Sequence, residues 1–145
     1  MEVTHNAAAR PFTDVLARLR GVGLRPTRQR LALARLLFEP GDRHITAEAL
    51  HGEVRAARIP VSLATVYNTL HLFTAAGLLQ ELVVEPGKVY FDTNTGAHHH
   101  FLFEESGDLL DIPAEAIDVG ALPAAPSGTR IGRVDVIIRV APETV

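Results

Sequence analysis

The stretch that most limits how this chain can fold is Ser62-Leu63-Ala64-Thr65-Val66-Tyr67-Asn68-Thr69-Leu70-His71-Leu72-Phe73, together with the two apolar runs behind it. Leu63, Val66, Leu70 and Phe73 recur at the spacing of one helix face, Ser62 is a hydroxyl N-cap ahead of them, and Gly77 is a stop. Thr65, Tyr67, Asn68 and His71 are left facing outward. Next, Leu78-Leu79-Gln80-Glu81-Leu82-Val83-Val84 and Val89-Tyr90-Phe91 flank Glu85-Pro86-Gly87-Lys88, strand-like composition around a Pro-Gly turn. A capped helix running into a hairpin is the arrangement of a winged helix-turn-helix, whose last helix enters the major groove of double-stranded DNA while the hairpin touches the backbone.

The residues ahead of this stretch supply the helices such a domain needs. Phe12, Val15, Leu16 and Leu19 predict a first helix that stops at Gly21-Val22-Gly23. Thr27 caps a second over 28–38, closed by Pro40-Gly41, with Arg28 and Arg35 on one side. A third follows Thr46 and ends before Ile59-Pro60, since the residue ahead of a proline resists the helical conformation. The charge distribution agrees with a nucleic-acid partner. Residues 1–36 hold seven arginines (Arg10, Arg18, Arg20, Arg25, Arg28, Arg30, Arg35) against Glu2 and Asp14, although the whole chain carries a formal charge of -3.

From Asn94 onward the balance reverses, with three arginines against eight acidic residues. Phe101-Leu102-Phe103, a Ser106-Gly107-Asp108 turn, Leu109-Leu110-Asp111-Ile112, a short helix from Pro113 to about Asp118, a Pro/Ala/Gly/Ser-rich loop and a strand over 133–140 make a small α/β unit. Its core is too small to be comfortable alone, so a homodimer that covers its apolar face is expected. The predicted fold class is α+β: a winged helix-turn-helix DNA-binding domain over 1–93 and an α/β dimerisation and metal-sensing domain over 94–145. With no cysteine, disulfides, thiol nucleophiles and Cys-x-x-Cys zinc sites are excluded. No apolar run approaches a membrane span and no signal-peptide segment opens the chain, which predicts a cytoplasmic protein without a membrane partner.

Between the two parts lies Asp92-Thr93-Asn94-Thr95-Gly96-Ala97-His98-His99-His100. On an extended segment His98 and His100 point one way and His99 the other, so the first two form a two-nitrogen half-site for a transition metal. Two histidines and a carboxylate with open positions also describe non-haem metalloenzymes, the alternative function.

Several of these stretches resemble the ferric uptake regulator (Fur) family, over essentially the full length. Gly23-Leu24-Arg25-Pro26-Thr27-Arg28-Gln29-Arg30 resembles the family's entry to its second helix, Ser62-Leu63-Ala64-Thr65-Val66-Tyr67-Asn68-Thr69-Leu70 its recognition helix, and Tyr90-Phe91-Asp92 with the later histidines its metal-binding hinge. Within the family, His98-His99-His100 and Asp111-Ile112-Pro113 are most similar to the iron response regulator (Irr) branch. The resemblance implies a metal- or haem-responsive transcriptional regulator of iron (and haem) homeostasis genes, such as a repressor, that binds operator DNA as a homodimer. It implies a regulatory site drawn from His44, Asp92, His98, His100 and Asp111, suited to iron(II) or manganese(II) with zinc a competitor. His99 and Asp118 fall where family members place parts of a second site, with no histidine after His100 to complete it. The family's Cys-x-x-Cys zinc is absent, Phe103 and Ser106 standing at those positions, and burial of Phe103 is expected to replace part of its stabilisation. The branch's cysteine-proline haem motif is likewise absent, so any haem would use the histidine cluster and compete with the metal. For DNA, the Tyr67 ring can lie against a thymine methyl while the helix start at Ser62 and Thr65 faces phosphate; Arg25 resembles the basic residue that family members insert in the minor groove, and Asn68, standing where several members have arginine, departs from guanine readout and can pair with adenine instead.

Overall fold

The computed structural model describes residues 11–85 and 87–144, with backbone only for Pro11, Phe12 and Thr13. Arg10, Pro86 and the Phe12 side chain, all used above, lie outside the described residues. The chain forms two compact units that part between Thr95 and Gly96.

In the first unit, α1 (Pro11–Gly21), α2 (Arg28–Phe38), α3 (Ala47–Ala56) and α4 (Leu63–Ala75) carry the core. Three hydroxyl caps set the starts: Thr27 accepts the Arg30 N–H at 3.2 Å, Thr46 that of Ala49 at 3.1 Å, and Ser62 that of Thr65 at 3.1 Å. α4 ends where Gly77 takes φ +86°, the Gly77 and Leu78 N–H groups returning to the Thr74 and Phe73 carbonyls. α3 closes in the same way but without glycine. Arg58 adopts φ +57°, and Ile59 N–H reaches back to the Val54 carbonyl. The helix ends at Ala56, ahead of Ile59-Pro60 as expected, and the turn that closes it is left-handed at a residue that is not glycine.

α4 buries Val66, Thr69, Leu70 and Phe73, an i, i+3, i+4, i+7 stripe. Leu63 is only half-buried, and Thr69 takes a place in the core that the apolar pattern did not assign. Leu19, Leu33, Leu37, Leu50 and Val54 complete the helical core, with Phe91 entering from the sheet. That sheet runs β1 (His44–Ile45), β3 (Lys88–Asp92), β2 (Gln80–Glu85), antiparallel throughout, with both His44 and Gln80 in register opposite Asp92.

In the second unit, β4 (His98–Phe103) lies between β5 (Leu109–Pro113), antiparallel, and β6 (Ile137–Val140), parallel. Two expectations are corrected here. The short helix after Pro113 is one 3-10 turn, Ala114–Ala116, because Ile117 turns extended at φ -123° and Gly120, Pro123 and Pro126 follow. The last strand pairs only over Ile137–Val140: the Val136 N–H is taken by the His99 ring at 3.1 Å instead of by a ladder carbonyl. Within the chain Phe103 is 41% exposed, on the sheet face it shares with Leu110. Among the described residues no helix is long and apolar enough to cross a membrane.

Candidate functional site

The histidine triplet sits on β4, so strand alternation applies to it directly. His98 and His100 share a face, ring centroids 4.5 Å apart, and their Nε2 atoms lie 3.5 and 3.4 Å from one oxygen, Oδ1 of Asp111. Asp111 is the register partner of His100 across β4 and β5, which is why these three meet. His98 Nδ1 is 2.6 Å from the Gly96 carbonyl. A carbonyl only accepts, so the proton of that bond is on Nδ1, and Nε2 is the ring nitrogen turned toward the carboxylate. Two imidazole nitrogens and a carboxylate oxygen converging on one point are the donor chemistry of a transition-metal site, and a backbone carbonyl behind the imidazole is the orienting partner that ligating histidines keep. The donor set of the second unit therefore fits a divalent ion.

The first unit assembles its own pair. His44 Nε2 lies 3.3 Å from Asp92 Oδ2, and the Asp92 side chain is buried while its Oδ1 accepts the Asn94 N–H at 2.9 Å. Arg43 fixes the strand that presents His44. Its backbone N–H donates to Thr93 Oγ1 at 2.9 Å, and its guanidinium donates to both Glu53 carboxylate oxygens at 3.0 and 2.5 Å and to the Leu36 carbonyl at 2.9 Å. Arg43 is a positioning residue that sequence reasoning missed; its flank beside a histidine was the only signal.

His99 and Asp118 are not brought together. His99 Nδ1 accepts the Val136 N–H, and Asp118 is exposed with Oδ1 accepting the Gly120 N–H at 2.8 Å. Among the described residues neither belongs to a group of three or more metal-type side chains.

On the DNA side, Arg25 and Asn68 are exposed, and the Arg25 carbonyl accepts from the Arg30 guanidinium at 2.9 Å. The Ser62 hydroxyl, besides capping α4, donates to Thr65 Oγ1 at 3.1 Å. Tyr67 is half-buried; its hydroxyl donates to Glu48 Oε2 on α3 at 2.5 Å, and its ring stacks on His71 at 6.3 Å. That bond draws the Glu48 carboxyl below its ordinary value and pushes the Tyr67 phenol above its own. The carboxyl's folded value is depressed, so its contribution is present above the carboxylate range and lost on acidification; the phenol's is raised, so its contribution is lost only above its alkaline value. Across neutral pH the bond is intact.

The ferric uptake regulator family model matches residues 21–136. The chain belongs to that family. The peroxide-responsive repressor PerR of Staphylococcus aureus (strain Mu50 / ATCC 700699) is 32% identical over 111 residues, 77% of this chain and 74% of that protein. Ferric uptake regulator from Pseudomonas aeruginosa with manganese superposes with TM-score 0.66 at 25% identity, over 88% of this chain and 97% of that one. Ferric uptake regulator from Francisella tularensis with iron reaches TM-score 0.66 at 19% identity, over 83% and 93%, a likeness of fold.

As a Fur family member, the chain is a metal-responsive transcriptional regulator with an α+β fold of winged-helix and dimerisation domains, and it is not an enzyme. The metalloenzyme alternative is therefore set aside. Fur and PerR relatives establish the family and not a branch within it.

Proposed function

We propose that this Fur family protein regulates iron homeostasis genes by binding operator DNA as a homodimer when one divalent ion is held by His44, Asp92, His98, His100 and Asp111. The observation that carries the reading is the convergence of the His98 and His100 Nε2 atoms on one Asp111 oxygen, with His98 oriented from behind by Gly96. Three imidazoles with two carboxylates suit iron(II) or manganese(II), with zinc a competitor. When bound, the ion supplies positive charge that neutralises both carboxylates and ties residues of one unit to residues of the other. His44 and Asp92 supply the DNA-binding unit's share, and His98, His100 and Asp111 the other share. The iron response regulator branch is supported by the triplet and by Asp111-Ile112-Pro113. Haem, which that branch raises, would compete for the same imidazoles.

The test is protection of a promoter fragment with Mn(II), Fe(II), Zn(II) or haem, and after chelation. Protection that follows Mn(II) or Fe(II) and disappears on chelation is expected; protection indifferent to metal, or driven by haem alone, overturns the reading. For the reading helix, Tyr67→Ala should weaken specific binding by about 1–3 kcal/mol without altering the circular dichroism spectrum. Unchanged affinity would remove α4 from the readout.

The exposed Phe103, Leu110 and Ile138 of the second unit support dimerisation without a cysteine-bound zinc. Sedimentation after exhaustive chelation should still show a dimer, and a monomer would contradict that part of the proposal.

A further inference from the structure

We infer that Glu48 is a positioning residue for DNA readout, holding the Tyr67 ring in the orientation in which it meets a base. This rests on the assignment of α4 as the reading helix. Glu48 stands on the first turn of α3, between the buried Ala47 and Leu50 and directly behind the Thr46 cap, so its backbone is placed by core packing. Its carboxylate takes the Tyr67 hydroxyl from a position nineteen residues away in the chain. The other side of the ring is set by His71, one turn along α4, and the His71 ring stands edge-on to the fully buried Phe91 at 5.6 Å. Tyr67 is thus held at its tip by one helix and along its face by another residue seated on the sheet. A ring fixed in this way loses little rotamer freedom on binding, and a thymine methyl meets one geometry rather than an average.

The electrostatics sharpen the inference. A carboxylate beside a surface that meets phosphates repels them, so Glu48 lowers affinity for every duplex alike. Its removal should raise non-specific binding and erase base discrimination, two effects of opposite sign. The charge and the hydrogen bond can be separated: Glu48→Ala removes both, whereas Glu48→Gln removes the charge and keeps an acceptor for the tyrosine.

The experiment uses the full-length protein with Mn(II) and the promoter duplex it protects, with each thymine replaced in turn by uracil, which lacks only the methyl group. The wild type should lose about fourfold in affinity at the thymine met by Tyr67, the worth of one buried methyl. Glu48→Gln should keep that loss, Glu48→Ala should abolish it, and both should bind an unrelated duplex more tightly. Tyr67→Phe should match Glu48→Ala in the uracil series, and the double variant should be no worse than either. A Glu48→Ala protein that retains the uracil penalty, a Glu48→Gln protein that loses it, or a wild type with none overturns the inference. A wild type with no metal-dependent DNA binding at all overturns the proposed function itself.

Discussion

Replacement of His98 and His100 together by alanine is expected to abolish metal uptake and, with it, every effect of metal on DNA binding. Both rings lie in β4 with Nε2 within 3.5 Å of the same Asp111 oxygen, so the double variant removes two of the five proposed ligands and leaves Asp111 without either imidazole beside it. Loss of an outer-shell partner alone costs about 10–100-fold in affinity, and loss of two ligands should exceed that range. Titration calorimetry with Mn(II), paired with promoter binding with and without the ion, reads both consequences. Wild-type uptake by the double variant would sink the ligand assignment. His99→Ala is the internal contrast. Its Nδ1 accepts a backbone N–H, so that variant should bind metal normally and lose about 1 kcal/mol of stability through the orphaned Val136 donor.

The largest effect on stability is expected from Phe73→Ala. Phe73 is fully buried on α4, where its ring packs against Phe38 with centroids 6.4 Å apart. Truncation removes the transfer free energy of the ring and leaves a cavity among Leu70 and its neighbours, a cost of about 3–5 kcal/mol. Against a total stability of about 5–15 kcal/mol for a domain, that should bring the denaturation midpoint down sharply and deplete the DNA-binding form at physiological temperature. Val83→Ala on β2, at a side chain 58% exposed, should stay within about 0.5 kcal/mol. Comparable midpoints for the two variants would mean that the α4 stripe does not anchor the core.

The helices were legible because their signals are local. Thr27, Thr46 and Ser62 each bond an N–H three residues ahead, and Gly77 supplies a backbone conformation that other residues resist. Other features carry no local signal. Arg58 makes a glycine-like turn without being glycine, and the 41% exposure of Phe103 depends on how the strands around it pack. β6 is shorter than its apolar run because an imidazole thirty-seven residues away claims the Val136 N–H.

The same division runs through the candidate site. Strand alternation is a property of neighbouring residues, so the sequence by itself determined that His98 and His100 face together and His99 faces away. That Asp111 stands opposite His100, that Asp92 stands opposite His44, and that Glu48 receives the Tyr67 hydroxyl are matters of register and helix packing. Only the tertiary structure decided them, because each contact joins chain segments whose separation no local periodicity encodes, and each is made where burial of a distant core sets the backbone in place.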